Sequence, residues 1–181
     1  MSSPSPSIQR SFSSASSARA RALAVLLTQQ KTGDPLDEVF DRVWERQASD
    51  PRDRGFAMEL VYGVLRRQET LDWRLEPVLK KPLARLPLMV QMMLRIGMYQ
   101  LAYMDRVPAS AAVNESVNLA KANKAQLARD WSGLVNAVLR TVTRGPERPF
   151  PDLQTDSASA LSVRYAVPQW LCARWIEQVG L

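Results

Sequence analysis

Between Leu88 and Met104 the chain runs seventeen residues in which Gln91, Arg95 and Gln100 are the only strongly polar side chains. A helix apolar on nearly every side is either a membrane span or a strut walled in by other helices. A span needs about 20 predominantly apolar residues, and this run is both shorter and interrupted by a charge. We therefore expect no membrane segment and a buried central helix, roughly 26 Å long at about 1.5 Å per residue. The rest of the chain has to provide the helices that cover it.

Their signals are legible on both sides. From Ser17, the residues Ala20, Leu23, Ala24 and Leu27 recur at helical spacing, and Gly33 stands just past the end as a stop. Asp34-Pro35 opens a second helix as cap and first turn, carrying Leu36, Val39, Phe40, Val43 and Trp44 on one stripe. A third starts at Asp50-Pro51 and runs through Phe56, Leu60, Val64, Leu71, Leu75 and Val78, with Pro77 as a kink or restart. Pro82 and Pro87 punctuate the loop before the central helix. Pro108 begins a helix whose inner face, Ala109, Ala112, Val113, Val117 and Ala120, is small enough for close approach. The next is expected over 126–144, with Leu127, Trp131, Leu134, Val135, Val138 and Val142 inward. Beyond Gly145-Pro146, a proline-spaced stretch leads to a short helix near Pro168. No segment alternates with period two, so the fold class is all-α, a helical bundle around the apolar helix.

Residues 1–17 hold nine serines and two prolines and are expected to be a disordered tail, too poor in apolar surface to offset ordering. With no acidic residue before Asp34, this start also has the composition of an organelle transit peptide. The expected organisation is thus a tail over 1–17, the bundle over 18–145, and a linker with the start of a further connection over 146–181.

Composition narrows the chemistry. With no histidine, imidazole cannot act as base, shuttle or metal ligand, and with one cysteine, Cys172, disulfides and cysteine-rich metal sites are excluded. No two of the seven glycines stand closer than eight residues apart, so no Gly-rich phosphate cradle exists. Catalytic, cofactor-binding and metal sites are therefore not expected, and a reducing, cytoplasmic setting fits the cysteine usage. Cys172, between Trp170 and Trp175, reads as an inert thiol without a base. Tyr99 and Tyr103, and the five methionines from Met89 to Met104, read as core.

The net charge is +6, and it is not evenly spread. Residues 51–149 hold sixteen basic and nine acidic side chains, whereas the segments on either side are close to neutral. A field of that sign favours phosphate-rich partners, nucleic acid first. Arg129, Gly133, Asn136, Arg140 and Arg144 step by four, three, four and four, which places them on one helix face opposite Trp131, Leu134 and Val138. That face fits a phosphate backbone, with Gly133 permitting close approach and Asn136 offering an amide. It equally fits a solvated face, or a seam in which Arg140 pairs with Glu115. Arg19 and Arg21, where the tail enters the first helix, add a basic arm. Arg66, Arg67, Arg74, Lys80, Lys81 and Arg85 are read as solubilising or RNA-facing alike.

Three stretches, DRGFAMELVYGVLRRQETLDW, LPLMVQMMLRIGMYQLAYMDRVPASAAVNESVNLAK and WSGLVNAVLR, are similar to the NusB-type RNA-binding domain over about residues 19–145. That all-helical domain occurs as the free antitermination factor and as the N-terminal part of Sun/Fmu (RsmB-type) ribosomal RNA cytosine-5 methyltransferases. The tail LSVRYAVPQWLCARWIEQVGL, through Tyr165, Pro168, Trp170, Leu171 and Trp175, resembles the segment that leads into the catalytic part of those enzymes. The resemblance implies an RNA-binding N-terminal domain present without its catalytic domain, which would be its partner in cis. The absent part would carry S-adenosylmethionine and two functional cysteines, neither of which this chain provides for. It implies ribosomal RNA as partner, contacted through Arg19 and Arg21 and through Asn136 and Arg140, the last two alternatively facing the catalytic half. The other branch implies a transcription antitermination factor that pairs with a ribosomal protein on a leader RNA.

Overall fold

The computed structural model describes residues 6–45 and 50–179, with side chains from Ala18 onward. The elements described are helices α1 (Pro6–Thr32), α2 (Leu36–Trp44), α3 (Pro51–Arg66), α4 (Gln68–Leu75), α5 (Leu88–Tyr103), α6 (Ala109–Ala122), α7 (Ser132–Arg144), α8 (Ser157–Tyr165) and α9 (Gln169–Val179). Short 3₁₀ turns at Glu76–Val78 and Leu83–Arg85 join α4 to α5. No strand occurs among the described residues, so the all-α expectation holds.

Helix α5 is the central strut. Ten of its sixteen residues are buried, Met92, Met93, Leu94 and Ile96 completely. At about 1.5–3 kcal/mol for each fully buried aliphatic side chain, this helix is where the bundle gains most from water exclusion. Helices α1, α3, α4, α6 and α7 all pack against it. Two glycines let them come close: a Cβ at Gly63 of α3 would fall inside the Tyr99 ring, and one at Gly97 of α5 would lie 2.5 Å from Leu139 Cδ1 and 2.8 Å from Ser116 Oγ. Tyr99 donates its hydroxyl to Glu59 Oε1 at 2.6 Å. Arg95 grips Asp72 of α4 with two bonds of 2.7 Å, a bidentate pair nearly closed to solvent on the arginine side.

Several local expectations hold. Gly33 adopts a left-handed φ of 70° past α1, and Asp50 caps α3 by accepting from the Arg52 amide at 2.8 Å. Others change. The buried face of α1 is Ala18, Ala22, Val25 and Leu26 with Leu23, whereas Ala20 and Ala24 point to solvent. Alanine is equally at home on either side of a helix, so its spacing does not fix the rotation. The α1 backbone is helical from Pro6, within the segment expected as a tail; residues 1–5 of that segment lie outside the described residues. Pro6 is the first helical residue, where its fixed φ favours helix and its missing amide costs no bond. The long third helix is two, broken at Arg67, whose φ of −111° leaves the helical region. Asp34 does not cap α2; its carboxylate accepts from both terminal nitrogens of Arg42 at 3.1 Å.

Past α7 the chain folds back on α4 where a linker is expected. Phe150 stacks on Trp73 with ring centroids 5.4 Å apart, Arg148 donates to the Trp73 carbonyl at 2.6 Å, and Arg74 pairs with Glu147 at 2.5 Å. Helix α8, capped by Asp156, then docks on α4, where the Thr70 hydroxyl donates to the Val163 carbonyl at 2.5 Å. Helix α9 packs on α8 through Cys172, which is 1% exposed. Burial raises the pKa of that thiol, in keeping with an inert role. Trp170 and Trp175 remain largely exposed.

Candidate nucleic-acid interface

Helix α7 begins later than its apolar spacing suggests. Ala128 takes a left-handed φ of 57°, and Asp130 accepts from the Ser132 amide at 2.8 Å, so the first turn forms at Ser132. The Ser132 side chain first, and next this amide bond, hold the Asp130 carboxyl below its ordinary value, and a carboxylate there suits the positive end of the helix. From Ser132 the helix buries Val135, Val138 and Leu139, while Gly133, Arg140 and Arg144 are exposed and Asn136 is half-buried on the opposite side.

Arg129 is therefore not part of the helical stripe. It precedes the helix and lays its guanidinium 3.7 Å from the centre of the Trp131 ring. The stripe that remains is Gly133, Asn136, Arg140 and Arg144. Arg140 and Arg144, one turn apart, line a recess of about 270 Å³ with Ser110, Asn114 and Thr143. Ser110 and Asn114 themselves stand one turn apart on α6, so two helices each offer a pair of polar side chains to one hollow.

The basic arm is placed differently. Arg19 is 5% exposed, donates from Nε to Gln100 Oε1 at 2.8 Å and lies over the Phe56 ring at 4.7 Å. Burial lowers its pKa, and Glu115 works in the opposite direction. Glu115, the carboxylate considered for Arg140, thus acts on Arg19, and no ion pair of Arg140 occurs among the described residues. The structure places Arg19 in the core, not on an exposed basic arm. Arg21 is half-buried, with its guanidinium 4.5 Å from the Trp44 ring centre. Of the remaining basic residues, Arg67 lies over Tyr103 and Arg74 is held by Glu147, whereas Arg66, Lys80, Lys81 and Arg85 face solvent.

Among the described residues no group of three or more His, Cys, Asp or Glu side chains is placed to hold a metal ion. None of the described helices is long and apolar enough to cross a membrane. What the surface does offer is fixed positive charge on α7 beside hydroxyl and amide donors on α6, an arrangement suited to phosphate.

The sequence profile of the NusB family matches residues 16–144, most of the chain. This chain belongs to the NusB family. Its NusB bundle is similar to two solved structures. One, a crystal structure of antitermination factors NusB and NusE in complex with dsRNA, shows 24% identity and a TM-score of 0.62, covering 71% of this chain and 95% of that one. The other, a crystal structure of a plectonemic RNA supercoil, shows 26% identity and a TM-score of 0.63, covering 71% and 93%. Among curated relatives, a probable ribosomal RNA small subunit methyltransferase B of Synechocystis is 39% identical over 86% of this chain and 34% of its own length. The ribosomal RNA small subunit methyltransferase B of Thermus thermophilus is 38% identical over 87% and 34%. That of Pseudomonas putida is 37% identical over 89% and 35%. The chain thus spans about a third of the length of these relatives.

Sequence spacing does not reveal the α6 side of the recess, because Ser110 and Asn114 belong to a helix read for its small inner face. The available signal is their own spacing of four, the same as Arg140 to Arg144.

Proposed function

We propose that this NusB domain seats ribosomal RNA for a ribosomal RNA cytosine-5 methyltransferase, with methyl transfer carried by another domain of the same cytoplasmic enzyme. The observation that carries the reading is where the likeness extends. The NusB profile stops at Arg144, the last residue of α7. A match over 155 residues, even one starting at Met1, runs past that point into the segment that clasps α4. The antitermination reading has only the bundle in its support, which both branches share.

We infer that S-adenosylmethionine is held by that other domain. Cofactors of this kind commonly bind at the carboxyl ends of parallel strands, and the described residues are helices and connecting segments alone. No step of the transfer is assigned to them. Their contribution is positioning: exposed arginines hold phosphates and leave sequence choice to other parts of the enzyme.

The test is binding of a fluorescently labelled single-stranded ribosomal RNA fragment across a salt series. With four to six phosphates engaged, log K falls with log salt at a slope of about −3 to −5, at about 0.7 per phosphate. An affinity that stays flat from low to moderate salt overturns the reading.

A further inference from the structure

We propose that α6 and α7 form a site for one unstacked ribonucleotide, its phosphate held in the recess beneath Arg140 and Arg144 and its base lodged in the adjoining cleft. The proposal rests on the RNA-seating reading above. It adds a location, a strand state and a base contact that the basic stripe alone does not imply.

The two hollows are neighbours. The recess of about 270 Å³ and a larger cleft of about 680 Å³ share Ala109 and Thr143 as common wall. They differ in chemistry. The recess presents two guanidinium groups, the Asn114 amide and the Ser110 hydroxyl. Thr143 adds no donor, because its hydroxyl is committed to the Arg140 carbonyl at 2.9 Å. The cleft has apolar walls in Val78, Met98, Leu101, Ala102 and Val142, with Arg74, Glu147 and Arg148 also lining it and Thr141 at its exposed rim. Its volume falls in the range of about 300–1,000 Å³ usual for small-ligand pockets. An anion site joined to a cleft that combines apolar walls with polar groups matches a nucleotide, whose base has an apolar face and a polar edge and is held apart from the phosphate by one ribose.

The start of α6 adds to the anion side. Pro108 makes no side-chain cap, the first turn carries no acidic residue, and Ala109 and Ser110 both line the recess. Amides of a first helical turn have no partner within the helix and carry the positive end of its dipole. Arg140 and Arg144 join no ion pair among the described residues, so their charge meets a phosphate unscreened by a carboxylate. A paired, stacked base cannot enter such a cleft, which selects single strands or loops over duplex.

The experiment uses the full chain and a ten-nucleotide single-stranded RNA carrying one 2-aminopurine, read by anisotropy for affinity and by 2-aminopurine emission for unstacking. Emission is expected to rise on binding, and a duplex of the same sequence should compete poorly. The double variant Arg140→Ala, Arg144→Ala should reduce the salt slope by about 1.4, twice the 0.7 of a single-strand phosphate contact. Ala102→Leu and, from the exposed rim, Thr141→Leu should suppress the emission rise while retaining the salt slope. Binding without an emission change places the base outside the cleft and overturns the proposal. An unchanged slope in the double variant places the phosphate elsewhere and overturns it equally, while leaving RNA seating intact. Absence of RNA binding by the unaltered chain at low salt removes the seating reading itself.

Discussion

Arginines on the two sides of this bundle lead opposite lives. On the inner side, where α1, α3 and α4 meet α5, Arg19 and Arg95 are 5% and 6% exposed and each is tied to a named partner across the core. On the outer side of α7, Arg140 and Arg144 are exposed and line an open recess with α6. The difference lies in what each guanidinium meets. Arg19 has the Gln100 side-chain amide oxygen and the Phe56 ring, and Arg95 has both oxygens of Asp72, so both guanidinium groups find partners inside. A basic stretch is thus not a nucleic-acid surface until burial divides it. Here the division leaves Arg140 and Arg144 of α7 exposed and turns Arg19 of α1 into architecture.

The sharpest way to break this contrast is Arg95→Ala. It strands Asp72 beside a core, and breaking a buried pair costs about 3–5 kcal/mol. Since Asp72 retains 27% side-chain exposure, the low end of that range is expected, read as a large fall in melting temperature. Replacing both partners together, Arg95→Met with Asp72→Leu, should recover most of the loss, because no charge is then left alone. If Arg95→Ala melts like the unaltered protein, the inner side is not held by its arginines.

Arg19→Ala comes next. It removes a charged hydrogen bond, worth about 1.5–3 kcal/mol, and leaves Gln100 Oε1 without that donor. RNA affinity of the folded variant should be unaltered, since Arg19 faces Gln100 and Phe56. A variant that keeps its melting temperature and loses RNA would return Arg19 to the surface.

How much of this could be read beforehand depends on the range of the interaction. Helix starts marked by local chemistry, such as Asp50-Pro51, Pro87 and Pro108, are visible in the sequence because a cap and its helix are neighbours. The central helix is visible because its burial is written on every side of it. Arg19 is not, since its partner Gln100 lies 81 residues away and nothing near it distinguishes a core arginine from a tail arginine. The break at Arg67 falls without glycine or proline, and α8, SASALSVRY, carries too weak an apolar stripe to announce itself. For α7 the signal was present: Asp130 and Ser132 mark its start, and giving them precedence over apolar spacing removes Arg129 from the stripe. The recess between α6 and α7 is a product of packing and becomes visible only once both helices are placed.

The inner side also contains an acid held well above its ordinary value. Burial, and next the hydrogen bond to Glu59, push the Tyr99 hydroxyl up to about 12 from an ordinary 10.0. The folded chain holds this proton more tightly than the unfolded one, so the stability it brings is whole below pH 10 and is lost as the pH rises toward 12. Denaturation followed from pH 9 upward should show that decline, and Tyr99→Phe should flatten it. An identical alkaline limb in the variant would show that Tyr99 ionises as freely as an exposed tyrosine.

The smallest effect on stability is expected at Arg140. Its side chain is exposed, it joins no ion pair among the described residues, and Glu115 acts on Arg19 instead. Exposed substitutions usually stay within about 0.5 kcal/mol, so Arg140→Ala should melt with the unaltered protein. Were Arg140 a seam residue against Glu115, its removal would strand a half-buried carboxylate and cost several times more, on the order of 3 kcal/mol. The stability of this one variant therefore decides on which side of the division Arg140 falls, independently of any RNA measurement. A loss comparable to that of Arg95→Ala would make Arg140 part of the inner architecture and leave α7 with Arg144 alone on its exposed basic stripe.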